Sequence, residues 1–374
     1  MTVVPHYATK DESNTDRGKI VAVVSGKGGS GKTMFAVALA QGAAINDKKA
    51  ILVDTDFATG GLTYYLTFRE FSNARVGLSD FLGSRPTDKP LSDWAAVGKS
   101  TRREEDWISN VKLAPIGDQR RFREDMDNEI ELAVRNVLNQ AVYISDLVVV
   151  DCRGGIDSQS IAVCRMADEI IVVVETDTTS IRASQHLADI LSDENIKQKV
   201  VGFVLNKVMD DPTPLAKTAS ALLRLDYLGA IPFDIEATRS YIQGLIPDSN
   251  TLFARHVFAI LPRIFSDLEK ISNIRVLDAE EFGSVTLRSP ETRLGGLILL
   301  SLGLYLSVGF MWFAYLDLDY IGGIRFNIFQ ILFVISLDFI LFAGLSDAIK
   351  QKLGQSYRQQ YSVFRLFSKL MKKY

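Results

Sequence analysis

Residues Gly26-Lys27-Gly28-Gly29-Ser30-Gly31-Lys32-Thr33 spell GxxxxGK[ST], and few motifs restrict a fold as tightly. The pattern works only where a strand feeds a glycine-rich loop that opens a helix. The flanking chain meets that condition, with an apolar run over 20–24 before it and a helix-forming stretch over 33–45 after it. Glycines let backbone N–H groups close around phosphate oxygens, and the helix N-terminus adds its positive end. Lys32 is placed to reach the β- and γ-phosphates, and the Thr33 hydroxyl to ligate Mg²⁺. Gly26, Gly28, Gly29, Ser30 and Gly31 are the remaining expected phosphate contacts.

Further along, short runs rich in Val, Ile and Leu recur at 50–53, 147–150, 169–174 and 200–205. Near-continuous apolarity marks strands buried on both faces, as in a parallel sheet. Helical stretches such as 129–140 and 181–191 lie between them. Alternation of this kind predicts an α/β, doubly wound, mainly parallel P-loop NTPase domain. The run 147–150 ends in Asp151, a Walker B pattern in which the acid holds Mg²⁺ through water. Residues 70–127 are charged and less regular, with Arg102, Arg103, Arg120, Arg121 and Arg123 balanced by acids, which reads as a solvated helical face. A helical segment over 257–273 is expected to close the domain.

Lys27 sharpens the motif. The string KGGxGKT resembles the deviant Walker A motif of the MinD/ParA family of ATPases, and the continuation after Phe57 looks most like that family's pilus-assembly and localisation branch. The resemblance spans residues 19–261 and implies ATP and Mg²⁺ as cofactors. It also implies an ATP-dependent sandwich homodimer, in which Lys27 crosses to the partner's nucleotide. A second cation that reaches the phosphates only when two protomers meet is sound electrostatics for such a switch. In Asp54-Thr55-Asp56, the family pattern gives Asp56 the orientation of the attacking water and Asp54 support of Mg²⁺ or of the loop. Asn206 matches an adenine-contacting position, and the segment 228–232, ending in Pro232, one whose backbone lines the base. The implied catalytic set is Lys27, Lys32 and Asp56, and the implied metal set Thr33, Asp54 and Asp151. Cys152-Arg153-Gly154-Gly155 keeps the glycines of the family's phosphate-sensing turn but departs from it at Arg153, a cation suited to phosphate or to a partner.

The net charge of −3 supplies no global field toward nucleic acid, which is not an expected partner. Cys152 and Cys164 form no CxxC pair and offer no metal framework; Cys152 reads as a small buried residue. Residues 1–18 are polar, lack the apolar core of a signal peptide and read as a disordered lead-in to an ATPase domain over 19–281. A linker over 282–293 follows.

Residues 294–315 then run 22 positions without a charge, where a bilayer span needs about 20. Residues 326–345 are similar, apart from Gln330 and Asp338. Asp338 is expected to face protein, within the hairpin or between protomers. A two-helix transmembrane hairpin over 294–346 is therefore expected. Arg288 and Arg293 precede it, and Lys350, Lys352, Arg358, Arg365, Lys369, Lys372 and Lys373 follow it, whereas the connecting loop holds only Arg325. The positive-inside rule places both termini and the ATPase domain on the cytoplasmic side of an inner membrane. In the tail, 347–374, Val363, Phe364, Leu366, Phe367, Leu370 and Met371 share one helical face, opposite most of its cations. That is the pattern of a basic amphipathic helix on anionic lipid, and equally of a partner-docking helix.

The leading expectation is a membrane-anchored ATPase that dimerises with ATP and recruits or positions a protein partner. Two alternatives stand beside it. One is a bacterial-type tyrosine kinase that uses Tyr357, Tyr361 and Tyr374; the other is a non-hydrolysing ATP-bound scaffold, against which intact Lys27, Lys32, Asp56 and Asp151 argue. DNA segregation is disfavoured by the anchor and the modest basic content.

Overall fold

The computed structural model describes residues 17–72, 76–82, 90–99, 106–123, 125–265, 276–278 and 281–282. The chain divides after Phe282 into two units, and every described residue belongs to the first. The linker beyond Phe282, the hairpin and the tail lie outside the described residues. Among the described residues no helix is long and apolar enough to cross a membrane.

The first unit alternates as the apolar runs predict. Its amino-terminal half runs β1 (Lys19–Val24), α1 (Lys32–Ile45), β2 (Ala50–Asp54), α2 (Gly61–Arg69), α3 (Leu91–Trp94), β3 (Ala96–Val97), β4 (Val111–Ala114) and α4 (Asp127–Ile144). Next come β5 (Leu147–Asp151), α5 (Ser158–Met166), β6 (Glu169–Glu175), α6 (Thr178–Asp193) and β7 (Val200–Val208). Then follow α7 (Thr213–Leu223), β8 (Tyr227–Pro232), α8 (Ile235–Ile242) and α9 (Leu252–Phe258). The strands form one sheet in the order β3-β4-β2-β5-β1-β6-β7-β8, parallel throughout except for the β3–β4 pair.

Side chains alternate across each strand, so every central strand feeds two cores. Ile20, Ala22 and Val24 join one core with Val148 and Val150, while Val21 and Val23 join the other with Leu147 and Val149. Each fully buried Val, Leu or Ile among them contributes about 1.5–3 kcal/mol, which is why the strand sequences carry almost no polar residue. α1 is apolar nearly all round because it is covered on both sides. It lies on the sheet, and Gly42 is so close to α9 that a Cβ there would meet Phe258 Cδ1 at 2.6 Å.

Some expectations are corrected. The less regular stretch contributes β3 and β4 to the sheet edge, where runs of two and four residues are too short to show a period. Arg120 and Arg121 stand on a single 3₁₀ turn over Gln119–Arg121 rather than on a helical face, and each pairs with an aspartate, Asp118 and Asp80. Of the closing segment expected over 257–273, the described part holds the end of α9 at Phe258 and a short turn at Leu261–Arg263, and residues 266–273 lie outside the described residues. Phe282, expected as the first linker residue, is buried edge-on against His256, with ring centroids 5.3 Å apart. The packed unit therefore extends through it.

Candidate active site

β1 and β5 are hydrogen-bonded neighbours and end at the same level, which brings the loop after β1 beside Asp151. That loop reaches α1 through Gly31, whose φ of +90° is open to glycine and strained for other residues. No side chain caps α1, so its first N–H groups are left to a ligand. Gly26 lies against the backbone of α6 at Ala183, and Gly28 and Gly29 border open space where a Cβ would sit.

Lys32, buried, and Thr33 converge on Asp151: the threonine hydrogen-bonds the carboxyl, and the lysine charge acts on it. Burial nonetheless dominates and pushes Asp151 up to about 7. Its Oδ1 is buried with no hydrogen-bond partner among the described residues, as is Ser30 Oγ. An orphaned carboxylate oxygen beside a threonine hydroxyl, a buried lysine and an open glycine cradle is the donor set that a magnesium-bound nucleotide fits.

The two aspartates after β2 do different things. Asp54 is fully buried, and burial lifts it to about 6. Its Oδ2 accepts from Thr63 N and Thr63 Oγ1 at 2.8 and 2.7 Å, and its Oδ1 from Asp56 N at 3.1 Å. These hydrogen bonds tie Asp54 to the following loop and to α2. Asp56 is partly exposed and accepts from Thr59 N and Thr59 Oγ1 at 3.1 and 2.5 Å. Thr55 ties this loop to the Walker B strand, its Oγ1 donating to Asp151 O at 2.9 Å.

Asn206, at the end of β7, is buried and donates through Nδ2 to Ser30 O at 2.7 Å. One N–H of its amide is thus engaged on the P-loop. Pro232 ends β8 in register with Val208, on the strand beside Asn206. Lys27 pairs within its own chain: its Nζ lies 3.3 Å from Asp177 Oδ1 and 3.1 Å from Thr179 Oγ1, at the start of α6. A hydrogen bond from Thr179 and the charge of Lys27 hold Asp177 down at about 2.

Sequence reasoning passed over several residues. Lys207 donates to Gly29 O at 2.7 Å and pairs with Glu175 at 3.1 Å, strapping the P-loop to the end of β6. Thr63 Oγ1 also accepts from Ile116 N at 2.9 Å, and so joins α2 to the segment after β4. Asp177 and Thr179 carry a visible signal, a polar Asp-x-Thr-Ser at a strand-to-helix junction, but nothing in it points to Lys27.

A family model described as the CobQ/CobB/MinD/ParA nucleotide binding domain matches residues 21–247. Among similar proteins, the septum site-determining protein MinD of Buchnera aphidicola subsp. Schizaphis graminum is 26% identical over 266 residues, 67% of this chain and 93% of its own. Among solved structures, MinD complexed with Mg-ADP from Pyrococcus horikoshii superposes with a TM-score of 0.55 at 19% identity, covering 69% of this chain and all of the other. The MinC:MinD cell division protein complex from Aquifex aeolicus gives 0.54 at 18% identity over 67% of this chain and 97% of that one. At these identities the structures establish a shared fold.

Proposed function

Because this chain belongs to the CobQ/CobB/MinD/ParA nucleotide-binding family and is a MinD/ParA-like P-loop ATPase, we propose that it works as an ATP-dependent dimerisation switch held at a membrane. In this reading it hydrolyses ATP slowly and recruits or positions a protein partner on the cytoplasmic face. The observation that carries the nucleotide half is the unpartnered Asp151 Oδ1 beside Thr33 and Lys32.

Each residue has a task. The N–H groups of the loop 26–31 and of the start of α1 bind the phosphates, with Lys32 between them. Thr33 and Asp151 hold Mg²⁺, and Asp54 keeps the adjoining loop in shape. Mg²⁺ held by these residues would neutralise charge on the phosphate oxygens. Asp56, on the exposed loop after β2, positions water for attack. Lys27 leaves Asp177 to reach a second protomer. The uncharged run 294–315 and the cations that flank the proposed hairpin support permanent anchoring with both termini cytoplasmic. A chain fixed in this way cannot leave the membrane on hydrolysis, so its cycle would control association and partner affinity instead. The partner surface is a role seen by analogy with the MinC:MinD complex.

The deciding experiment is the solution mass of residues 1–288 with ADP, and of the same segment carrying Asp56→Ala with ATP. A dimer with ATP alone is expected. Monomers under both conditions would sink the switch. Anchoring is tested separately: the full chain should resist alkaline extraction from membranes, and release by alkali would remove that half of the reading.

A further inference from the structure

After Asp151 the chain runs Cys152-Arg153-Gly154-Gly155. This segment is pinned at both ends to β1 and the loop that follows it. Cys152 N donates to Val23 O at 3.2 Å, and Gly155 N to Ser25 O at 3.1 Å. Between the two pins the backbone presses on the phosphate cradle. A Cβ at Gly154 would stand 2.7 Å from Gly28 Cα and 3.1 Å from Lys32 Nζ. Arg153 is therefore one residue from the cradle and two from Asp151, on a backbone that is already fixed.

Its side chain is only partly exposed and has no hydrogen bond or ion pair among the described residues. Far more exposed arginines do pair, among them Arg120 with Asp118 and Arg165 with Glu194. A partly exposed guanidinium with no protein acceptor keeps its donors for an anion. The cradle beside it is built for such an anion.

We propose that Arg153 binds the terminal phosphate of ATP within its own protomer, and so makes the chain favour ATP over ADP. The proposal rests on the nucleotide reading above. The loop amides serve phosphates that both nucleotides carry, and Lys32 reaches the β-phosphate of either as well as the γ-phosphate of ATP. Arg153 adds charge-assisted hydrogen bonds that only the triphosphate can accept, and a planar fork suits phosphate oxygens.

The test is an equilibrium titration of the full-length chain with ADP and with a non-hydrolysable ATP analogue, both with Mg²⁺, in the wild type, Arg153→Gln, Arg153→Lys and Lys32→Ala. Arg153→Gln should weaken the analogue by about 10- to 100-fold and leave ADP unchanged, as expected for loss of hydrogen bonds to a charged group. Arg153→Lys should recover part of the loss. Equal weakening of both nucleotides, or of neither, would overturn the proposal. So would an analogue defect that vanishes on tenfold dilution of the protein, because Arg153 would then act on a partner's nucleotide. Lys32→Ala should lose both ligands. If the wild type bound neither, the nucleotide reading itself would fall, an outcome distinct from a wild type that binds both with no dependence on Arg153.

Discussion

Lys27 Nζ lies 3.3 Å from Asp177 Oδ1, so the lysine that the sandwich model sends to a partner is held on α6 of its own chain. Both side chains are about two-fifths exposed, and exposed pairs of this kind contribute at most about 1 kcal/mol. The contact is thus weak enough to be exchanged for a better one.

Asp177→Asn separates the charge from the cap, because asparagine can still accept from Ser180 N at the start of α6. Unfolding free energy should fall by less than about 1 kcal/mol. ATP-dependent association should tighten by no more than about 30-fold, the limit set by the two pairs lost per dimer, one from each protomer. Sedimentation across a dilution series checks this, and weakened association would mean that Asp177 works in the dimer rather than against it.

Two substitutions separate binding from turnover. Lys32→Ala removes the buried cation beside Asp151 and should abolish nucleotide binding in a fluorescence titration. Asp56→Ala leaves the cradle intact, and phosphate release should fall by about 10²- to 10⁴-fold with binding retained, the range for loss of a positioned acid or base. Loss of binding in Asp56→Ala would reassign the residue to the structure of the loop.

Asn206→Ala deletes the 2.7 Å bond to Ser30 O and leaves a buried carbonyl without that donor. A stability loss of about 1–3 kcal/mol is expected, together with weaker binding of ADP and ATP alike, since the P-loop itself is loosened. Equal stability with a change confined to the base, read by comparing ATP with GTP, would instead restore the adenine-contacting role.

His256 gives a pH test. Leu277 N donates to Nε2 at 3.1 Å, so Nδ1 carries the proton and donates to Ala230 O at 2.7 Å; burial depresses the imidazole to about 4. The unfolded chain then binds the extra proton first, and stability present above the ordinary histidine pKa of about 6.5 is lost as pH falls toward 4. Asp54 and Asp151, raised by burial to about 6 and about 7, act in the opposite sense over this window. The readout is therefore the difference between variants. Between about pH 7.5 and pH 5, His256→Asn should remove about 2 kcal/mol of acid destabilisation from urea unfolding curves. Parallel pH profiles for the two proteins would exclude His256 as the group concerned.

Much of this protein is legible within short windows of its sequence. The glycines of 26–31 dictate a loop, Lys32 and Thr33 must follow it, and the double-sided apolar runs fix strands and a parallel sheet, because backbone torsion and side-chain period are local properties. The tertiary structure alone decides what meets what. Asn206 reaches Ser30 across 176 positions, Lys207 reaches Gly29 across 178, and Lys27 finds Asp177 across 150. Those meetings follow from strand order, which puts β6 and β7 on the far side of β1 from β5 and which no local pattern encodes. The same holds for Asp54, whose sequence context suits a metal ligand or a loop support equally. Only the fold turns Thr63 back onto its carboxylate and so ties the loop to α2.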